Sequence, residues 1–182
     1  MATLNNIGDV LQNKLEKAMA NLPTVLGNEA VNWYKDNFRR QGWPDTTFEP
    51  WKARKANAKR NAGRGILILS GRLMRSPRII STAPLRVNVG TDVPYARAHN
   101  DGFQGMVTVK AHKRNKIGTI NVSTGKTGEP FRKKRTITGV RNIQTFQRNM
   151  NLPRRRFMGY SPVLKSILIK KAIVHVGRDL KN

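Results

Sequence analysis

The chain of 182 residues contains no cysteine. That absence removes disulfides, thiolate nucleophiles and cysteine-held zinc together. Acid is nearly as scarce: ten Asp and Glu face 35 Lys and Arg, a formal charge of +25. No apolar run approaches the ~18 residues a membrane span needs, and Met1 through Asp9 carries neither a basic leader nor a continuous apolar stretch. Secretion and membrane insertion are therefore not expected. The cations are spread through helices, turns and a long loop rather than along one helical face, so lipid binding is not expected either.

What is abundant is positive charge. A compact domain with so much charge of one sign repels itself, which raises the free energy of folding alone, so the working state calls for a negative counterpart such as nucleic acid or an acidic protein surface. The hydrophobic content of 38% is lean but sufficient for a core. The length suits a single domain, and residues 1–182 are read as one, with 113–151 as a basic extended arm.

Along the chain, Ile7, Val10, Leu11, Leu15, Ala18, Met19 and Leu22 recur at helical spacing, and Pro23 predicts an end to that helix. A second helix is expected from Pro23–Thr24, carrying Leu26, Ala30, Trp33, Tyr34 and Phe38 inward until Gly42 and Pro44. Trp43, Phe48 and Trp51 pin an irregular connection, and Lys52 to Arg64 reads as a solvated helix or turn. Arg78–Ser81 and Leu85–Val89 predict a hairpin, and Met106–Ala111 and Ile117–Val122 predict a second pair of strands. Ser161-Pro162 has the form of an N-cap and first-turn proline, opening a closing helix with Val163, Leu164, Ile167, Leu168 and Ala172 inward. The expected class is α+β: two N-terminal helices, a mainly antiparallel sheet, a long basic loop and a C-terminal helix packed on the sheet.

Catalytic constellations are missing. Gly125-Lys126-Thr127 has the tail of a phosphate-binding loop, but Ile120 stands where that loop needs its first glycine, and Gly128-Glu129-Pro130 follows instead of a helix. His99, His112 and His175 lie out of helical reach of one another and away from acid pairs in ligand spacing, so no metal or other cofactor is expected. His99 and Asp101 share a face if extended, yet a general base also needs a held nucleophile. The serines at Ser70 and Ser123 lack the glycine two residues earlier that a nucleophile elbow requires. Neither enzymatic turnover nor a small-molecule substrate is expected, and a nuclease is disfavoured by the poverty of carboxylates.

Binding remains. Lys113, Arg114, Lys116, Lys126, Arg132, Lys133, Lys134, Arg135, Arg141 and Arg148 stand against the single acid Glu129. Phosphate contact by such a segment is independent of sequence, with log affinity falling by roughly 0.9 per neutralised phosphate per decade of salt. Only Phe131 and Phe146 offer rings for base stacking, so any nucleic-acid contact is to the backbone.

An ordered series of motifs runs through the chain: Trp51-Lys52, Ile66-Leu67, Ser70-Gly71-Arg72-Leu73, Val87 to Gly90, Pro94-Tyr95-Ala96, His99 to Gly102, and Leu152-Pro153-Arg154-Arg155-Arg156-Phe157-Met158-Gly159-Tyr160-Ser161. The series resembles the virion morphogenesis or tail completion family of tailed bacteriophages. It departs from that pattern at Arg154, where the family usually has a small residue, and over Arg141 to Met150. The resemblance implies a non-enzymatic virion protein that completes the tail or joins it to the head, at the neck or tail end, as a homo-oligomeric ring meeting tail and connector proteins. Tyr95, Arg97, His99, Gly102, Pro153 and Phe157 are assigned to the subunit interface, with Pro153 and Phe157 also expected to anchor the returning chain. Arg132, Lys133, Lys134, Arg135, Arg154, Arg155 and Arg156 are assigned to an acidic partner or to non-specific contact with genomic DNA. The rival reading is a basic nucleic-acid-binding protein of packaging or ribosome-associated type.

Overall fold

The computed structural model describes residues 4–54, 63–122 and 132–181. The element order is α1 (Leu4–Arg40), β1 (Gly42–Pro44), β2 (Phe48–Pro50), α2 (Arg72–Arg75), β3 (Arg78–Ala83), β4 (Arg86–Gly90), α3 (Ala96–Asn100), β5 (Phe103–Val109), β6 (His112–Val122), β7 (Arg132–Ile143), β8 (Phe146–Leu152) and α4 (Pro162–Lys181). The α+β expectation holds. The phosphate-loop-like Gly125-Lys126-Thr127, and most of the stretch read as a solvated helix from Lys52 to Arg64, lie outside the described residues.

The two expected N-terminal helices are one. Pro23 sits inside α1, buried, without ending it. A proline in a helix interior forfeits one ladder bond and costs about 3 kcal/mol, so packing must offset it. Ala30 and Trp33 meet Leu164 of α4 in one buried cluster with Trp43. Gly27 lets α1 approach the β3–β4 hairpin closely, since a Cβ there would stand 2.7 Å from Val87 and 2.8 Å from Ile79. Earlier in α1 the pattern has no cover: Ile7, Val10, Leu11 and Leu15 are about half exposed, and the first fully buried position is Ala18.

The expected single sheet is also absent. Among the described residues there are four two-stranded pairs: β1 with β2, β3 with β4, β5 with β8 and β6 with β7. The β3–β4 hairpin lies where its β-branched runs and Pro84 placed it, with a register shift between Ile79 and Ser81. The second predicted pair is wrong in partner, because β5 and β6 are strands that each pair with a later one. The C-terminal helix packs chiefly along α1 rather than on a sheet.

Two compact units result, Met1–Phe103 with Leu152–Asn182, and Gln104–Asn151. The 113–151 segment is not an extended loop over its described part: β6 and β7 form an antiparallel hairpin from His112↔Ile143 to Val122↔Arg132, with a bulge between Lys116 and Ile117. Alternation of Ile120 and Val122 with Thr119 and Asn121 marks the first strand, but the return strand, being mostly Lys, Arg and Thr, has no apolar period.

Candidate functional site

The segment Pro153–Ser161 has no helix or strand of its own, so its polar backbone must find partners elsewhere. Side chains supply them. The Trp51 indole donates to Arg156 O at 2.8 Å, Asn37 Nδ2 to Phe157 O at 3.2 Å and Tyr34 OH to Gly159 O at 3.0 Å. Asn100 Oδ1 accepts both Phe157 N and Met158 N at 2.9 Å, and Ser161 Oγ donates to Pro44 O at 3.2 Å. Ser161 then caps α4, accepting Leu164 N at 3.4 Å, which is the N-cap read from the sequence. Burial pushes the Tyr34 phenol up, against the opposing pull of its Gly159 bond and of Arg156.

Phe157 is 1% exposed and its ring lies 5.1 Å from that of Phe38, in a cluster with Trp51, Leu73, Val93 and Ala96. It therefore anchors the chain internally, which corrects its assignment to a subunit interface. The three arginines before it also divide. Arg154 is exposed and free to meet a partner, whereas Arg156 stacks over the Trp43 ring at 4.3 Å. Arg155 is 8% exposed, with Nε on Lys52 O at 2.9 Å and its second terminal nitrogen on Ala53 O at 3.3 Å. Burial, then the nearby Arg54, lowers its proton affinity.

The turn at Pro94-Tyr95 leads into α3, so His99 and Asp101 stand on a helical turn and not on a strand face. Tyr95 is 42% exposed and meets His99 edge-on at 5.9 Å. Arg97 is exposed and pairs with Asp101 at 3.7 Å. His99 O accepts Arg155 N at 2.9 Å, and Gly102, at φ 81°, packs on the returning chain, where a Cβ would stand 3.1 Å from Arg154 N and 3.2 Å from Leu152 O. Tyr95, His99, Gly102, Pro153 and Arg155 are thus brought to one neighbourhood. Arg132, Lys133, Lys134 and Arg135 lie on β7 in the other unit.

Sequence reasoning missed Asn37 and Asn100, the amides that hold the Phe157 backbone. Asn37 carried a signal: a poor helix former fully buried beside Phe38 has to serve a partner. Among the described residues, no group of three or more His, Asp or Glu is placed to hold a metal, and no helix is long and apolar enough to cross a membrane.

The β6–β7 hairpin concentrates charge. Arg114 stands directly across from Arg141, and Lys113 and Lys116 on β6 face a strand that also carries Arg132, Lys133, Lys134 and Arg135. Like charges directly opposite destabilise a strand pair. Neither strand contains an acidic residue.

The profile of the phage virion morphogenesis family matches residues 2–173, and the chain belongs to that family. No curated protein and no solved structure matches the chain.

Proposed function

We propose that the chain is a non-enzymatic structural component of a tailed-phage virion, acting in tail completion or head-to-tail joining as a ring of identical copies at the neck or tail end. The observation that carries this reading, beside family membership, is the acid-free β6–β7 hairpin with Arg114 opposed to Arg141. Such a ribbon is stabilised by an anionic surface, and in a ring it meets acidic tail or connector proteins or the DNA that passes along the axis. The half-exposed stripe of Ile7, Val10, Leu11 and Leu15 supports it further, because a helical apolar face on a single chain is ready-made for a neighbouring copy.

Electron microscopy of the purified protein, alone and with tails, tests the proposal: closed rings and copies where capsid meets tail are expected. Replacing Arg132, Lys133, Lys134 and Arg135 together with Ser should lower particle assembly while leaving the melting temperature unchanged. Particles lacking the protein at both neck and tail end overturn the proposal.

A second reading rests on the hairpin's form. A two-stranded antiparallel ribbon is of a size to enter the major groove of duplex DNA, and this one is strongly basic. Tight, sequence-independent binding of duplex by the isolated protein at physiological salt, without ring formation, is the result that favours a nucleic-acid-binding role.

A further inference from the structure

The β6–β7 ribbon has two unlike faces, and a one-residue irregularity sorts them. Side chains alternate along a strand, so Arg114 and Lys116 project from one face of β6, while Lys113, Asn115 and Ile117 project from the other. Arg141 stands directly across from Arg114 and shares its face. On β7, Ile137 and Val140 are separated by an odd number of positions, which in a regular strand sends them to opposite faces. The register shift prevents this. Lys116 pairs with Gly139 and Ile117 with Ile137, so Thr138 is the extra residue of a bulge, and Ile137 and Val140 come to the same face. Gly118 leaves the room that the bulge needs, since a Cβ there would run into the Thr138 methyl group.

One face therefore carries Arg114, Lys116 and Arg141, all exposed, with His112 and Ile143 at its base. The other carries Ile117, Ile137 and Val140, which are 66%, 62% and 55% exposed. Protein interfaces set an apolar centre inside a polar rim on one surface. Here the cations and the apolar side chains look in opposite directions, so the cationic face has charge without such a centre. A phosphate backbone asks for charge alone, which duplex DNA presents at about one negative charge per 1.7 Å of its axis.

We infer that the ribbon lies on the sugar-phosphate backbone of duplex DNA by this one face, with Arg114, Lys116 and Arg141 on phosphates and Lys113, Ile117, Ile137 and Val140 turned away. A phosphate between Arg114 and Arg141 also removes the repulsion of that directly opposed pair. The inference rests on the reading of the hairpin as the surface by which this virion protein meets an anionic partner, and it deepens that reading by choosing DNA over acidic protein and one face over the other.

Lys113 and Lys116 supply the test, because they share a strand, are both exposed and lie on opposite faces. The full chain is treated with an amine-reactive reagent, with and without a short duplex of mixed sequence, and modification of each lysine is read by mass spectrometry. Duplex is expected to protect Lys116 several-fold and to leave Lys113 reactive. In a salt titration of duplex binding, replacing Arg114, Lys116 and Arg141 with Ser should lower the slope of log affinity against log salt by about 0.9 for each cation removed. Removing as many exposed cations from α4, by Ser at Lys165, Lys170 and Lys181, should leave the slope unchanged. The hairpin variants relieve like-charge opposition, so their melting temperature should not fall. Equal protection of Lys113 and Lys116, or a slope lowered as much by the α4 variant, overturns the inference. Protection of Lys116 by poly-glutamate at a lower charge concentration than duplex makes the partner an acidic protein and overturns the choice of DNA. Lys116 protection without rings sinks the ring proposal alone, and rings without Lys116 protection by duplex sink this inference alone.

Discussion

The two compact units of this chain solve opposite problems. The unit of Met1–Phe103 and Leu152–Asn182 holds both buried clusters, the aromatic contacts and the ion pairs of Asp36, Asp92, Asp101, Asp179 and Glu29, the last with Lys171 at 3.2 Å. In the unit of Gln104–Asn151 none of residues 104–118 and 136–151 is buried, and Ile117 and Ile137, directly across from each other, are 66% and 62% exposed. One unit is stabilised by burial, about 25 cal/mol for each Å² of apolar surface removed from water. The other has the ladder bonds of a hairpin set against its own charge. Apolar burial and concentrated positive charge are thereby separated along one chain.

The sharpest way to break this comparison is Phe157→Ala, which should cost about 3–5 kcal/mol, seen as a collapse of the melting temperature or loss of soluble protein. A wild-type melt would show that the clamped segment is no anchor. Gly102→Ala is expected to cost about 1–3 kcal/mol, since it combines a left-handed backbone with a Cβ crowding the chain at Arg154; urea unfolding measures it.

Acidification should act on the burial-stabilised unit through His99. Its folded-state proton affinity lies below the ordinary value, so the unfolded chain binds the proton better; the stability this contributes is present above the ordinary histidine pKa and is lost as pH falls through the depressed one. His99→Gln should flatten the fall in melting temperature across that window. The smallest effect belongs to the hairpin: Ile117→Thr and Ile137→Thr, both at exposed strand positions, should each change stability by within ~0.5 kcal/mol. A loss several times larger would mean that the Gln104–Asn151 unit has an apolar core after all.

Local signals in the sequence carried well where one side chain decides one geometry. Ser161-Pro162 opened α4, Pro84 turned β3 into β4, and the Leu152–Ser161 series held the family resemblance. They failed where distant packing outweighs local preference. Pro23 discourages a helix, but Gly27, Ala30 and Trp33 make contacts that keep α1 continuous. Pairing of β5 with β8 and of β6 with β7 depends on which strands return, which no periodicity encodes. The meeting of Arg54, His99 and Arg155 around one cavity was invisible for the same reason: they are separated in sequence, and of the neighbouring Arg154, Arg155 and Arg156 only the middle one is buried.

The clamp around Pro153–Ser161 also governs when the molecule can be finished. Its bonds to Tyr34, Asn37, Pro44 and Trp51 span 105 to 125 positions. A ribosome building the chain from its N-terminus has therefore emitted α1 and the whole basic insertion before the core can close. During that interval the nascent protein depends on its surroundings to shield Ala30, Trp33 and Phe38 of α1, which Phe157 and Leu164 cover only later, so the segment from Leu152 through α4 acts as the latch.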